Sequence, residues 1–175
     1  MKKNKKNYKI KIGILGGTFD PPHKGHLHIS KVALKKLKLK KVLWVITRKN
    51  PFKNKPYLNI RKRIELSKKI TENNKKINIK FFDARIKSIN TYNLLRYLKN
   101  NMKAELFFLM GVDNLKKFHK WKNWEQIPKF AKIVVFPRKN FSINSVASKK
   151  LDKKNLIFIK SKKINISSSI IRKFW

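Results

Sequence analysis

The sequence predicts an α/β fold, a single domain with a mainly parallel sheet flanked by helices. Three observations predict it. Short apolar runs alternate along the chain with segments whose apolar residues recur at helical spacing. The first run passes through Gly16-Gly17 into such a segment and then into a second run, the order of a βαβ unit, which implies parallel pairing. The 175 residues, 41% of them hydrophobic, suffice for one sizeable core, with no internal repeat and no second domain.

The elements follow in order. Residues 1–9 are mostly Lys and Asn and are expected to form a flexible basic N-terminus, with the folded domain spanning 10–175. Ile10, Ile12, Ile14 and Leu15 mark a buried first strand. Ile29, Val32, Ala33, Leu34 and Leu37 mark the buried face of a helix, and Lys41 to Ile46 is the second strand. Thr47 to Leu58 carries Asn50, Pro51 and Pro56 and reads as a loop. Asn59 is placed to cap a helix reaching about Glu72, with Ile60, Ile64, Leu66, Ser67 and Ile70 near its buried side. Ile77 to Phe82 is a third strand, Asp83 to Asn90 a loop, and Thr91 to Leu98 a helix. Glu105 to Met110 is the most hydrophobic strand; after it, Leu115, Phe118, Trp121, Trp124 and Ile127 recur every three residues. Ala131 to Phe136 and Leu156 to Ile159 complete the strands. Residues 138–154 are polar and lysine-rich and promise no firm element. A last short helix opens at Ile166-Ser167-Ser168-Ser169. This pattern is Rossmann-like.

Composition bounds the function. There is no cysteine, so disulfides and thiolate metal sites are excluded. No run reaches transmembrane length and no signal peptide is recognisable, so a cytoplasmic protein without membrane partner is expected. Lys plus Arg number 47 against 8 Asp plus Glu, formally +39. Such a surface binds polyanions non-specifically. The excess is Lys spread through almost every segment. The Arg residues stand only at 48, 61, 63, 85, 96, 138 and 172. Abundant Lys, Asn, Ile and Phe together fit a biased composition on solvated faces better than one nucleic-acid stripe, so no specific nucleic-acid partner is expected. Oligomeric state is left open between monomer and homo-oligomer.

The chain is organised around Gly13-Ile14-Leu15-Gly16-Gly17-Thr18-Phe19-Asp20-Pro21-Pro22-His23-Lys24-Gly25-His26. Gly16 and Gly17 let a ligand come close to the backbone. The amides opening the next helix are expected to face an anion, with His23 and His26 beside it. A phosphate-bearing substrate is the first expectation. The segment is neither a G-x-G-x-x-G turn nor a Gly-Lys-Ser/Thr loop.

This string resembles the signature of the H-x-G-H nucleotidylyltransferases, and Gly-Gly-Thr-Phe-Asp-Pro-Pro-His-x-Gly-His is most similar to that of the bacterial nicotinate-nucleotide adenylyltransferases. Four later segments agree. Asn50-Pro51-Phe52-Lys53 resembles the family's Asn-Pro-His-Lys, with Phe52 in place of His and Arg48 where Pro is common. Thr91 and Leu95 match a Tyr-Thr-x-x-Thr-Leu segment, from which Asn90 and Leu94 depart; Thr91 is equally a helix cap in its own right. Gly111-Val112-Asp113 stands at a strand end, with Trp121 beyond it. Ile166-Ser167-Ser168-Ser169-Ile170-Ile171-Arg172 resembles Ile-Ser-Ser-Thr-x-Ile-Arg, with Ser169 for Thr. Many relatives continue with a further helix where this sequence ends at Trp175, so the stability of the last helix is in question.

The resemblance implies transfer of the adenylyl group of ATP to nicotinate mononucleotide, giving deamido-NAD and pyrophosphate in NAD biosynthesis. It implies His23, His26 and Arg172 as catalytic residues on the ATP phosphates. Gly16, Gly17, Thr18, Phe19, Gly111, Asp113, Ile166, Ser168 and Ser169 would complete the ATP site. Lys53, Thr91 and Trp121 would bind nicotinate mononucleotide. Mg²⁺ would arrive with the ATP phosphates, with no protein metal ligand. Nicotinamide mononucleotide or phosphopantetheine as acceptor, or a non-enzymatic basic nucleic-acid-binding protein, are the competing readings.

Overall fold

The computed structural model describes residues 10–52, 54–137, 144–161 and 166–174. Six strands, β1 (Ile10–Gly17), β2 (Lys41–Ile46), β3 (Ile77–Lys80), β4 (Ala104–Gly111), β5 (Lys132–Phe136) and β6 (Leu156–Phe158), form one sheet in the order β3-β2-β1-β4-β5-β6. Every pairing is parallel. The helices are α1 (Lys24–Lys36), α2 (Ile60–Thr71), α3 (Asp83–Ile86), α4 (Thr91–Asn101), α5 (Val112–Lys117), α6 (Val146–Lys150) and α7 (Ser168–Arg172). This is the doubly wound Rossmann-like arrangement that the strand–helix alternation predicts.

Burial on both faces explains why the strands read as unbroken apolar runs. Ile12, Ile14, Leu43, Val45, Leu106, Phe108, Met110, Ile133 and Val135 point into one core layer, with Leu94, Leu95 and Leu98 of α4. Their neighbours Leu15, Val42, Trp44, Ile46, Phe107, Leu109, Val134 and Phe136 point into the other, with Ala33 of α1. The chain order reverses between β1 and β4. In open parallel sheets, ligands bind outside the strand C-termini at that reversal. Here it brings Gly16, Gly17 and the start of α1 beside Gly111 and the start of α5.

Three local expectations are corrected and two are refined. Asp83 to Asn90 contains the one-turn helix α3, held by amides of Arg85 and Ile86 on the Phe82 carbonyl (2.8 and 2.9 Å). The cap of α4 is Asn90, whose side-chain oxygen accepts the Asn93 amide at 3.0 Å; Thr91 is the first helical residue. Within 138–154, α6 forms because Ser145 and Ser148 make a reciprocal capping box (3.1 and 2.8 Å), a local device that offsets sparse apolar content. The buried side of α2 is Arg63, Ser67 and Thr71, four residues apart, while Ile60, Ile64, Leu66 and Ile70 are half-buried beside them. The three-residue recurrence from Phe118 to Ile127 is partly 3₁₀, at Phe118–Lys120 and Trp124–Lys129, whose turn holds three residues. The flexible N-terminus expected at 1–9, and Lys53, lie outside the described residues.

Candidate active site

The join between β1 and α1 is built by its two histidines. His23 is the N-cap of α1; its Nδ1 accepts the Gly25 amide at 3.1 Å. His26 Nδ1 in turn accepts the His23 amide at 3.2 Å. The rings lie 3.8 Å apart, centroid to centroid. The pair therefore caps the helix reciprocally, as Ser and Glu do in an ordinary capping box. A ring nitrogen that accepts an amide carries no proton, so this geometry assigns the proton of each neutral imidazole to Nε2. It also corrects the expectation of free helix-start amides: His23 Nδ1 takes the Gly25 amide, and the His23 carbonyl takes that of His26 (3.0 Å).

A second layer holds these rings. Phe19 is buried at 2% exposure and lies 4.6 Å from the His26 ring and 4.9 Å from Trp44, on which it stacks. Trp44 Nε1 donates to Ser30 Oγ at 2.7 Å, and Ser30 Oγ donates to the His26 carbonyl at 2.9 Å. The side chain of Phe19 thus belongs to the core and positions His26.

Two cavities open at the strand C-termini and meet at Gly16, Phe108 and Trp121, which line both. The first is lined by His23, Gly25, His26, Gly111, Asp113, Ile166, Ser168 and Ser169. These are eight of the residues expected around ATP or in its motif. The second takes in Gly17, Thr47, Asn50, Phe52, Asp83 and Thr91, with an apolar wall of Val45, Ile86, Ile89 and Leu94. Thr91 and Trp121, both expected at the acceptor, line this cavity, and Trp121 lines the first as well. Gly17 lines the second cavity, not the first. Thr18 lines neither; its carbonyl accepts from Arg63 at 2.7 Å.

Steric reasons for two glycines are visible, and a third has none. A β-carbon at Gly25 would stand 2.8 Å from the His23 ring and 3.0 Å from Ile166. One at Gly111 would collide with the carboxylate of Asp113, which folds back over the strand end. One at Gly16 would meet only Phe108, at 3.6 Å, an ordinary contact. The fold therefore tolerates a side chain at Gly16, and its bareness serves the junction of the two cavities.

Arg172 does not line either cavity. Its Nη1 donates to the Asp20 carbonyl and stands 3.7 Å from the Asp20 carboxylate. Its Nη2 lies 3.3 Å from Ser169 Oγ, and its guanidinium sits 4.9 Å from the ring centroid of Tyr57. Ser168 Oγ donates to the Pro21 carbonyl at 2.8 Å, so α7 is docked on the β1–α1 loop.

Sequence reasoning missed a buried charged hub beneath this loop. Asp20, 4% exposed, accepts the amides of Tyr57 and Leu58, each at 2.9 Å. Arg63, 2% exposed, donates to the carbonyls of Leu58, Thr18, Thr47 and Arg48. Asp83 accepts Thr47 Oγ1 at 2.9 Å and the Arg48 amide at 2.7 Å. Burial pushes the Arg63 guanidinium below its ordinary value, while Asp20 and Asp83 pull it back up. One signal was present: Arg at 63 in a chain whose basic residues are nearly all Lys. A planar fork with five donors can serve four carbonyls at once; an ammonium has three donors on a single nitrogen.

Among the described residues, no three His, Cys, Asp or Glu side chains gather as a metal cage, and no helix is long and apolar enough to cross a membrane.

The doubly wound sheet carries a histidine-capped helix at its point of reversal, and over residues 14–174 the chain matches the cytidylyltransferase-like family. A probable nicotinate-nucleotide adenylyltransferase of Pelagibacter ubique is 48% identical over 168 residues, covering 94% of this chain and 93% of that protein. One from Clostridium tetani is 35% identical over 170 residues, covering 93% and 85%. The solved structure of Plasmodium falciparum nicotinic acid mononucleotide adenylyltransferase complexed with NaAD superposes with a TM-score of 0.79 at 25% identity, covering 94% of this chain and 83% of that one. The chain belongs to the nicotinate-nucleotide adenylyltransferase family.

Proposed function

We propose that this protein transfers the adenylyl group of ATP to nicotinate mononucleotide, releasing pyrophosphate and forming deamido-NAD for NAD biosynthesis. The observation that carries the reading is the pair of cavities joined at a bare glycine, Gly16, with two histidines and serine hydroxyls on one side and an apolar, partly aromatic chamber on the other. The similarity to adenylyltransferases named for this acceptor supports it.

ATP takes the first cavity, its triphosphate beside His23, His26, Ser168 and Ser169, and its ribose near Asp113. Nicotinate mononucleotide takes the second, its ring near Trp121 and Thr91; Lys53 is assigned to the acceptor on the resemblance of its motif alone. An oxygen of the acceptor phosphate attacks the α-phosphorus; the bond to the β-phosphate bridging oxygen breaks, and pyrophosphate leaves with that electron pair. The acceptor phosphate is already an anion at neutral pH, so no strong general base is needed. Catalysis is then positioning and charge stabilisation. The Nε2 protons assigned to His23 and His26 supply donors to the phosphate oxygens without adding formal charge. Arg172 supplies the cation once drawn from its docked position. Mg²⁺ would arrive with the triphosphate, carried by the substrate and not by protein ligands, and would supply positive charge against the leaving pyrophosphate. A cytoplasmic setting, where ATP is supplied, accords with this reading.

The test is pyrophosphate release from ATP and Mg²⁺ with nicotinate mononucleotide, nicotinamide mononucleotide and phosphopantetheine offered in parallel, the product being weighed by mass spectrometry. Turnover with nicotinate mononucleotide, abolished in His23→Ala, is expected. Preference for another acceptor, or no release from folded protein, rejects the proposal.

A further inference from the structure

Tyr57 is 74% exposed, yet its ring is not idle. The Arg172 guanidinium sits 4.9 Å from its centroid, and its backbone amide is fixed to Asp20 at 2.9 Å. Tyr57 ends the segment whose earlier residues, Thr47 and Lys49 to Phe52, line the second cavity. Arg172 ends α7, whose Ser168 and Ser169 line the first. This side-chain contact therefore joins the walls of the two cavities. It also keeps the guanidinium away from the nucleotide side, since Arg172 lines neither cavity.

We infer that Tyr57 is a positioning residue that competes with the triphosphate for Arg172. This rests on the assignment of the first cavity to ATP. Phosphate oxygens attract the guanidinium as bidentate, charged acceptors. To reach them, Arg172 gives up the Tyr57 ring and its contacts at Asp20 and Ser169. The ring's share of that cost is subtracted from nucleotide affinity. Removing the ring lowers the cost without touching the fold, because the Tyr57 side chain is largely in solvent and its amide contact to Asp20 is backbone.

The test is calorimetric binding of a non-hydrolysable ATP analogue with Mg²⁺ to the full chain, as wild type, Tyr57→Phe and Tyr57→Ala, each also in an Arg172→Gln background. Tyr57→Ala is expected to bind the analogue roughly two- to fivefold more tightly, the size of one exposed cation–ring contact. Tyr57→Phe keeps the ring and is expected to match wild type. In Arg172→Gln, Tyr57→Ala is expected to change nothing. Unchanged or weaker binding by Tyr57→Ala overturns the inference, as does an equal gain without Arg172. If wild type binds no ATP analogue at all, the ATP assignment itself falls and this inference with it. Unequal thermal melts would expose any variant altered in fold.

Discussion

The imidazole of His23 occupies the space that a β-carbon on residue 25 would need. Built there, that carbon would stand 2.8 Å from both Cε1 and Nδ1 of the ring, and 3.0 Å from Ile166 across the cavity. The glycine of the His-Lys-Gly-His segment is thus what lets His23 fold back onto its own helix and leaves Ile166 room opposite. Gly25→Ala should push the ring off the Gly25 amide and lower kcat/KM about a hundredfold, the scale of a reacting group misplaced by about an ångström. Thermal melting should change little, and steady-state kinetics beside a melt separates the two.

Gly111 and Asp113 stand in a similar relation at the end of β4. The carboxylate lies where a side chain at 111 would project. Asp113→Asn should raise the KM for ATP about ten- to a hundredfold, the worth of a hydrogen bond to a charged group. The KM for the acceptor should stay within about twofold, because Asp113 lines only the first cavity. Gly111→Ala should reproduce this effect with Asp113 still present.

The Arg63 hub is a stability element. Removing the guanidinium leaves four carbonyls without their donor and takes a nearby positive charge away from the buried Asp20 and Asp83. Arg63→Met should cost about 3–5 kcal/mol in chemical denaturation, the scale of several buried carbonyls losing a charged donor, each worth roughly 1–3 kcal/mol. Arg63→Lys should recover only part of it, since one ammonium cannot reach carbonyls on Thr18, Thr47, Arg48 and Leu58 together.

Trp121 lies in both cavities and packs on Phe118 at 5.1 Å and on Phe108 at 6.0 Å. Trp121→Leu should raise the KM for nicotinate mononucleotide by about three- to tenfold through loss of the aromatic contact. Initial rates at varied acceptor and fixed, saturating ATP check this.

Much of the sheet was legible because its central strands β1, β2, β4 and β5 are predominantly apolar and buried on both faces. The run Val42 to Ile46 shows why: alternate residues feed opposite layers, so nothing polar interrupts it. The glycine–histidine segment was legible as a site because its spacing is local. The hub was not, because Asp20 meets the amides of Tyr57 and Leu58 across 37 and 38 residues, and no periodicity links them. The docking of Arg172 was missed for the same reason: its partners lie 152 residues away at Asp20. Helices α3 and α6 are too short to show an apolar period; α3 rests on two amides sharing the Phe82 carbonyl and α6 on the Ser145–Ser148 capping box.

The central claim is that the two substrates meet over Gly16. A crystal structure with deamido-NAD and Mg²⁺ tests it most directly. The account predicts the adenosine half in the cavity lined by His26 and Asp113, the nicotinate half in the one lined by Thr91, and the bridging phosphates in contact with the Gly16 backbone. A dinucleotide lying wholly within one cavity, or elsewhere on the basic surface, would contradict it.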